Sequence, residues 1–153
     1  ILATDIVPIA PDFLVENKVE LVSLRVLLEN ADYISVNCDL NKTSYHLINA
    51  ETLAWVKPGA VLVNTARGPI VDEKALVSAL QSGKLVGAGF DVFEDEPLSA
   101  DSPLKKMNNV LMAPHNSNSS PAAWDRVHWN TIRNLLDGLS LDLVKFDELR
   151  QKL

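Results

Sequence analysis

Five stretches of the 153-residue chain end an apolar run with residues able to do chemistry. They are Asp5; Cys38; Thr65-Ala66-Arg67; Asp91 with the acids that follow it to Pro97; and Pro114-His115. Arg67 offers a planar guanidinium, which grips a carboxylate through two parallel hydrogen bonds. His115 offers an imidazole, which takes up or releases a proton near neutral pH. A carboxylate from the acidic stretch would hold one tautomer of such an imidazole. A carboxylate grip, a proton carrier and an orienting acid suit hydride transfer at a hydroxyl-bearing carbon beside a carboxylate. A nicotinamide would carry the hydride, and the protein would supply placement and electrostatics.

These stretches share a rim only if the runs before them are parallel strands. The runs Ile1 to Thr4, Tyr33 to Asn37, Ala60 to Asn64, Leu85 to Val92 and Val110 to Ala113 are short, apolar and rich in β-branched residues. Helical patterns lie between them: Val22 to Asn30, Asn49 to Val56 and Glu73 to Ser82. Pro8 and Pro11 mark a loop after the first strand, because neither donates to a ladder. Asn49 and Asp72 are helix caps, Lys57-Pro58-Gly59 is a stop, and Gly83 ends the third helix in the left-handed region. Ser120-Pro121 opens the longest helix, which runs to Asp137 before Gly138. Alternating strands and helices predict an α/β fold: a doubly wound parallel sheet, Rossmann-like, buried on both faces. Ligands of such sheets bind beyond the carboxyl ends of the strands, where the five stretches fall.

Bulk properties narrow the partners. The net charge is −6 and no basic stripe is present, so a nucleic-acid partner is not expected. No apolar run has the length of a membrane span. One cysteine forms no internal disulfide, and a reducing, cytoplasmic setting is the default expectation. The chain opens on an apolar run without Met, as a fragment, a processed chain or an incompletely determined sequence would.

The run Asn64-Thr65-Ala66-Arg67-Gly68, the run from Gly87 through Asp91-Val92-Phe93-Glu94-Asp95-Glu96-Pro97, and Pro114-His115 resemble the D-isomer-specific 2-hydroxyacid dehydrogenase family, including its phosphoglycerate dehydrogenase-like members. His46-Leu47-Ile48-Asn49 and Lys57-Pro58-Gly59-Ala60 are similar to that family too. The likeness runs to about Gly138, and several spaced blocks in the right order make it more specific than any one motif. It implies NAD as cofactor, a small 2-hydroxy or 2-keto acid as substrate, and a homodimer in the complete enzyme. It implies that Arg67 binds the substrate carboxylate, His115 is the general acid/base and Glu96 pairs with His115. Asp91 would sit by the nicotinamide. Asp5 would accept the adenosine ribose hydroxyls and so disfavour a 2′-phosphate. Cys38, Thr65 and Ala66 would line the cofactor, and Asn116 to Asn118 would close over the nicotinamide. Residues 1–138 would be part of an NAD-binding domain, and residues 139–153 a tail docking on a substrate domain. The phosphate-binding glycine turn and the substrate domain would then precede Ile1, and the 153 residues alone would be inactive.

Two stretches depart from the family pattern. Asp39 stands where proline is usual, and Asn116 to Ser120 is a polar run where an apolar residue and a Gly-Ala pair are common. Plainer roles stand beside the catalytic ones. Arg67 alone would be a surface arginine before a turn, His115 a structural histidine, Asp5 a turn cap and Asp91 a buried acid holding loop backbone. Glu94 and Asp95 read as solvated loop acids. His46 reads as structural, and His128 as packed in a core or partner interface near Trp124 and Trp129. Cys38 reads as a small packing residue with no base beside it. The function of a different class is a non-catalytic NAD sensor that binds partners, similar to the C-terminal-binding corepressors; a third reading is a remnant without catalysis.

Overall fold

The computed structural model describes residues 1–117 and 119–139. The chain forms two compact units, Ile1–His115 and Asn116–Leu153. In the first, β1 (Leu2–Ala3), α1 (Pro11–Glu16), β2 (Glu20–Leu21) and α2 (Leu24–Asn30) lead to β3 (Tyr33–Val36), α3 (Ala50–Trp55) and β4 (Ala60–Asn64). Then come α4 (Glu73–Gln81), β5 (Leu85–Phe90) and β6 (Val110–Met112). All strand pairs are parallel. The order β3-β4-β5-β6 makes one sheet, and β1-β2 a second.

Local chemistry sets the elements. The Asp72 carboxylate accepts from the Lys74 and Ala75 amides, so α4 starts there. Its Leu76, Ala79 and Leu80 fall on one face at helical spacing and are buried. Gly83 (φ +75°) takes the left-handed turn that leads into β5. Asn49 caps α3 through the Glu51 and Thr52 amides, while the Thr52 hydroxyl accepts from the Asn49 amide. Every residue of β4 is at least half-buried, as expected of a parallel strand covered on both faces. The core between sheet and helices holds Leu28, Leu62, Ile70, Leu76, Leu85 and Leu104.

Three expectations need correction. The segment after Pro8 is not all loop: Pro11 starts α1, and Glu20–Leu21 pairs with β1. Their few residues carry too short a pattern for a periodicity to show. The helix expected from Val22 begins at Leu24, because the Ser23 hydroxyl accepts the Val26 amide and caps it there. The strands form two sheets rather than one; β3 and β6 are the edges of the larger sheet, and β5 lies inside it between β4 and β6. Tyr33 on the β3 edge is 80% exposed.

In the second unit, α5 (Pro121–Gly138) is capped by the Ser120 hydroxyl, which accepts from the Ala123 amide. No described residue of α5 is buried. His128 is therefore not a core residue; it is exposed and meets its own helix neighbour Trp124 edge-on, with ring centroids 5.5 Å apart. Nearly all of the tail, residues 140–153, lies outside the described residues. No helix among the described residues is long and apolar enough to cross a membrane.

Candidate active site

Because the strands of each sheet are parallel, the residues after them emerge at one end. Asn64, the last residue of β4, organises that end. It is fully buried, with 0% exposure. Its side-chain amide donates to the Arg67 carbonyl (2.9 Å), and its side-chain oxygen accepts from the Ala66 amide (3.0 Å). Its backbone oxygen accepts from the Asp91 amide at 3.1 Å. A single buried amide thus ties the Arg67 loop to β4 and β4 to the segment after β5. Sequence reasoning gave Asn64 no role; the signal was a polar residue closing an otherwise apolar run.

The structure brings Arg67, Glu96 and His115 together. His115 Nδ1 is 2.7 Å from Glu96 Oε2, and Glu96 Oε1 accepts the Phe93 amide at 2.9 Å. The His115 hydrogen bond, and after it the Phe93 amide, hold the Glu96 carboxyl below the usual carboxylate range; burial opposes them, and the charges of His115 and Arg67 add smaller lowering contributions. His115 sits at φ +54°, a backbone region uncommon for a side-chain-bearing residue and frequent at functional sites. The Arg67 guanidinium is exposed and bonds the Ala66 carbonyl at 2.6 Å, which leaves other donors of its fork for an anion.

Five of the remaining residues lie at the strand ends. Asp5 is exposed, and one of its oxygens accepts the Val7 amide at 2.9 Å, so it does cap a turn. Its charge also reaches Cys38, which places the two near each other. Burial pushes the Cys38 thiol up against the lowering effect of a backbone hydrogen bond, and Asp39 and Asp5 add smaller raising contributions. A raised thiol is a poor nucleophile, and Cys38 packs against the core. Asp91 is 3% exposed at the end of β5. Thr65 is exposed and Ala66 half-buried, both on the Arg67 loop. Asn118 lies outside the described residues. An exposed carboxylate by β1, small residues after β3 and β4, and a buried acid after β5 fit a dinucleotide laid across the strand ends. No group of three or more metal-ligating side chains occurs among the described residues.

Glu94 is not the solvated loop acid that its neighbours implied. It is half-buried, and its Oε1 lies 2.5 Å from His46 Nε2. Its Oε2 accepts the Glu73 amide, while its own amide donates to Glu73 Oε1. His46, read from the sequence as structural, holds φ +48°. Nothing in a run of three acids tells which of them turns inward; the fold of the β3–α3 loop brings the partner. Asp95 between them is exposed.

Residues 1–117 match the sequence profile of the D-isomer specific 2-hydroxyacid dehydrogenase, NAD binding domain. A glyoxylate reductase of Korarchaeum cryptofilum is 45% identical over 125 residues, which cover 82% of this chain and 38% of that protein. An (S)-sulfolactate dehydrogenase of Chromohalobacter salexigens is 43% identical over 77% of this chain and 38% of its own length. Among solved structures, a glyoxylate reductase from Paecilomyes thermophila superposes with a TM-score of 0.80 at 34% identity, covering 88% of this chain and 40% of that one. The chain thus spans about two-fifths of the length of these relatives. With its Rossmann-like parallel sheet and this match, the chain belongs to the D-isomer-specific 2-hydroxyacid dehydrogenase family, its residues 1–117 matching that family's NAD-binding domain.

Proposed function

We propose that this domain serves an NAD-dependent dehydrogenase that interconverts a D-2-hydroxy acid and its 2-keto acid. The observation that carries the reading is the 2.7 Å His115–Glu96 pair with the Arg67 charge beside it. With Glu96 accepting from Nδ1–H, the Nε2 of His115 is the atom that exchanges a proton. In the reductive direction it gives that proton to the oxygen of the 2-keto group; in the oxidative direction it removes the hydroxyl proton. Arg67 binds the substrate carboxylate and fixes the reacting carbon beside His115. Asp5 binds the ribose hydroxyls of the cofactor, Cys38, Thr65 and Ala66 line it, and Asp91 borders its nicotinamide. NAD, when bound, supplies or accepts the hydride.

Within this class, the substrates named for the relatives favour a small 2-keto acid of the glyoxylate kind; a phosphoglycerate-like acid is the competing choice. Arg67, Glu96 and His115 are all exposed in these 153 residues, so catalysis in dry surroundings needs a second wall over them. The 153 residues assayed alone are expected to show no turnover.

The test uses the complete protein with NADH and a panel of glyoxylate, hydroxypyruvate, sulfopyruvate and phosphohydroxypyruvate. Turnover of at least one is expected. Arg67→Lys, which keeps the charge and loses the fork, should lower kcat/KM by about 100-fold, the worth of one or two charge-assisted hydrogen bonds at ~1.5–3 kcal/mol each. NAD binding without turnover of any member would favour a sensing role instead, and an unchanged kcat/KM would remove Arg67 from the carboxylate.

A further inference from the structure

We infer that Glu94 is a positioning residue for the Glu96–His115 pair, acting through the peptide that joins Phe93 to Glu94. The inference rests on the reading of His115 as the proton carrier only for its consequence in catalysis.

The two glutamates stand two residues apart and bond in opposite directions. Glu96 reaches out to His115, and Glu94 reaches in to His46 and to the first turn of α4. Both oxygens of Glu94 are used: Oε1 by His46 and Oε2 by the Glu73 amide at 3.0 Å. The Glu94 amide donates to Glu73 Oε1 at 2.6 Å. Each carboxylate accepts the other's backbone amide, which lets two like charges lie close together. His46 adds a donor, and it is itself held firmly. Its amide donates to the Pro69 carbonyl at 2.9 Å, and its ring stacks on Tyr45 with centroids 4.1 Å apart.

The Phe93–Glu94 peptide is fixed from a second side. A Cβ at Gly68 would fall 1.8 Å from the Phe93 oxygen, 2.0 Å from its carbonyl carbon and 2.5 Å from the Glu94 nitrogen. The Arg67 loop thus lies directly on that peptide plane, and only glycine allows it. A peptide is rigid, so fixing its oxygen, carbon and nitrogen leaves Phe93 only its own two torsions. The Phe93 amide is the donor that holds Glu96 Oε1 at 2.9 Å. Glu94 and Gly68 therefore set where Glu96 sits, and through Glu96 which ring nitrogen of His115 carries the proton. The same contact sets the spacing between the loop that bears Arg67 and the turn that bears Glu96.

The chain has three histidines, so ring nitrogen shifts from isotope-labelled protein resolve His115 from His46 and His128. The unaltered protein should show the Nδ1–H form of neutral His115. Glu94→Gln keeps the shape of the side chain and removes its charge. It should lower the Nδ1–H to Nε2–H ratio at His115 at least threefold, although residue 94 does not touch His115. Gly68→Ala, which pushes on the same peptide from the other side, should do likewise. Leu62→Val, a core change away from the turn, should lower the Tm and leave the ratio alone; it separates positioning from general loosening. Should Gly68→Ala fail to fold, His46→Ala removes the ring that holds Glu94 and is expected to act in the same direction. A His115 ratio that stays at the unaltered value in folded Glu94→Gln overturns the inference. In the complete protein, Glu94→Gln should lower kcat per folded molecule several-fold with KM little changed, and a loss that vanishes once kcat is scaled to the folded fraction would point to mere destabilisation. The tautomer readout needs no turnover, so a complete protein that is inactive on every keto acid sinks the dehydrogenase reading while the positioning result stands or falls separately.

Discussion

The two sides of the first unit use apolar residues differently. On the four-stranded side, β4 is at least half-buried at every position, Gly68 of the loop after β4 lies against the Phe93–Glu94 peptide of the loop after β5, and Glu94 is bonded to the start of α4. On the β1–β2 side, β2 is exposed, α1 has no buried residue, and Phe13, Val15 and Ile1 all face solvent. The sequences are comparably apolar. The difference is that β4 and β5 have hydrogen-bonded neighbours on both edges and helices packed on them, whereas β1 is paired on one edge only. The proposed chemistry divides along the same line. Arg67, Glu96 and His115 follow strands of the four-stranded sheet, and Asp5 follows β1 of the two-stranded one.

The largest test of this contrast is a cavity in the held side. Leu62 is 1% exposed in the middle of β4. Leu62→Ala should cost about 2–5 kcal/mol of stability, read from urea unfolding followed by circular dichroism. A loss under about 1 kcal/mol would mean that the four-stranded side is as loosely built as the other.

Next in size is cofactor choice. The complete protein should prefer NAD over NADP, because the Asp5 carboxylate repels a 2′-phosphate. Asp5→Asn should narrow that preference about tenfold, equal to ~1.4 kcal/mol. Comparable kcat/KM with both cofactors before the change would remove Asp5 from the ribose.

A smaller effect concerns pH. The folded protein holds the Glu96 carboxyl below its ordinary range, first through the His115 hydrogen bond. The ionised form is thus favoured by folding, and the resulting stability is present above the ordinary carboxylate range and lost as pH falls through the lowered value. Glu96→Gln should lower the Tm modestly at neutral pH and bring the two curves together as pH falls, which flattens the acid side of a plot of Tm against pH. An acid limb identical to that of the unaltered protein would show that the His115 bond contributes nothing to the fold. Because Glu96 is exposed, the effect should be modest.

The smallest expected change tests the other side. Val15 on α1 is 80% exposed. Val15→Ala should move stability by no more than about 0.5 kcal/mol. A drop of 2 kcal/mol would show that this side is packed after all, and the contrast would fail.

Much of this was legible in residue types alone. The strands at Tyr33, Ala60 and Leu85, the caps at Asn49 and Asp72, and the turn at Gly83 are local decisions: one side chain satisfies a nearby amide, or one backbone angle excludes a Cβ. Parallel order followed from the alternation of strands with helices, and the rim where Arg67 and His115 meet followed from parallel order. The short elements β2 and α1 were not legible, because a few residues carry no period.

What the sequence determined by itself, then, is the family, the alternation of elements and the identity of the residues at the strand ends, since each is written in contiguous blocks. The tertiary structure alone decided the partnerships across them. Glu94 and Glu96 are chemically alike and nearly adjacent, yet one is turned to His46, 48 positions away, and the other to His115, 19 positions away. Asn64 became an organiser because burial left its amide no water to bond, and Gly68 became indispensable because another loop's peptide lies against it. Such contacts depend on where distant segments of chain come to rest, and that placement follows from packing of the whole core rather than from any local pattern.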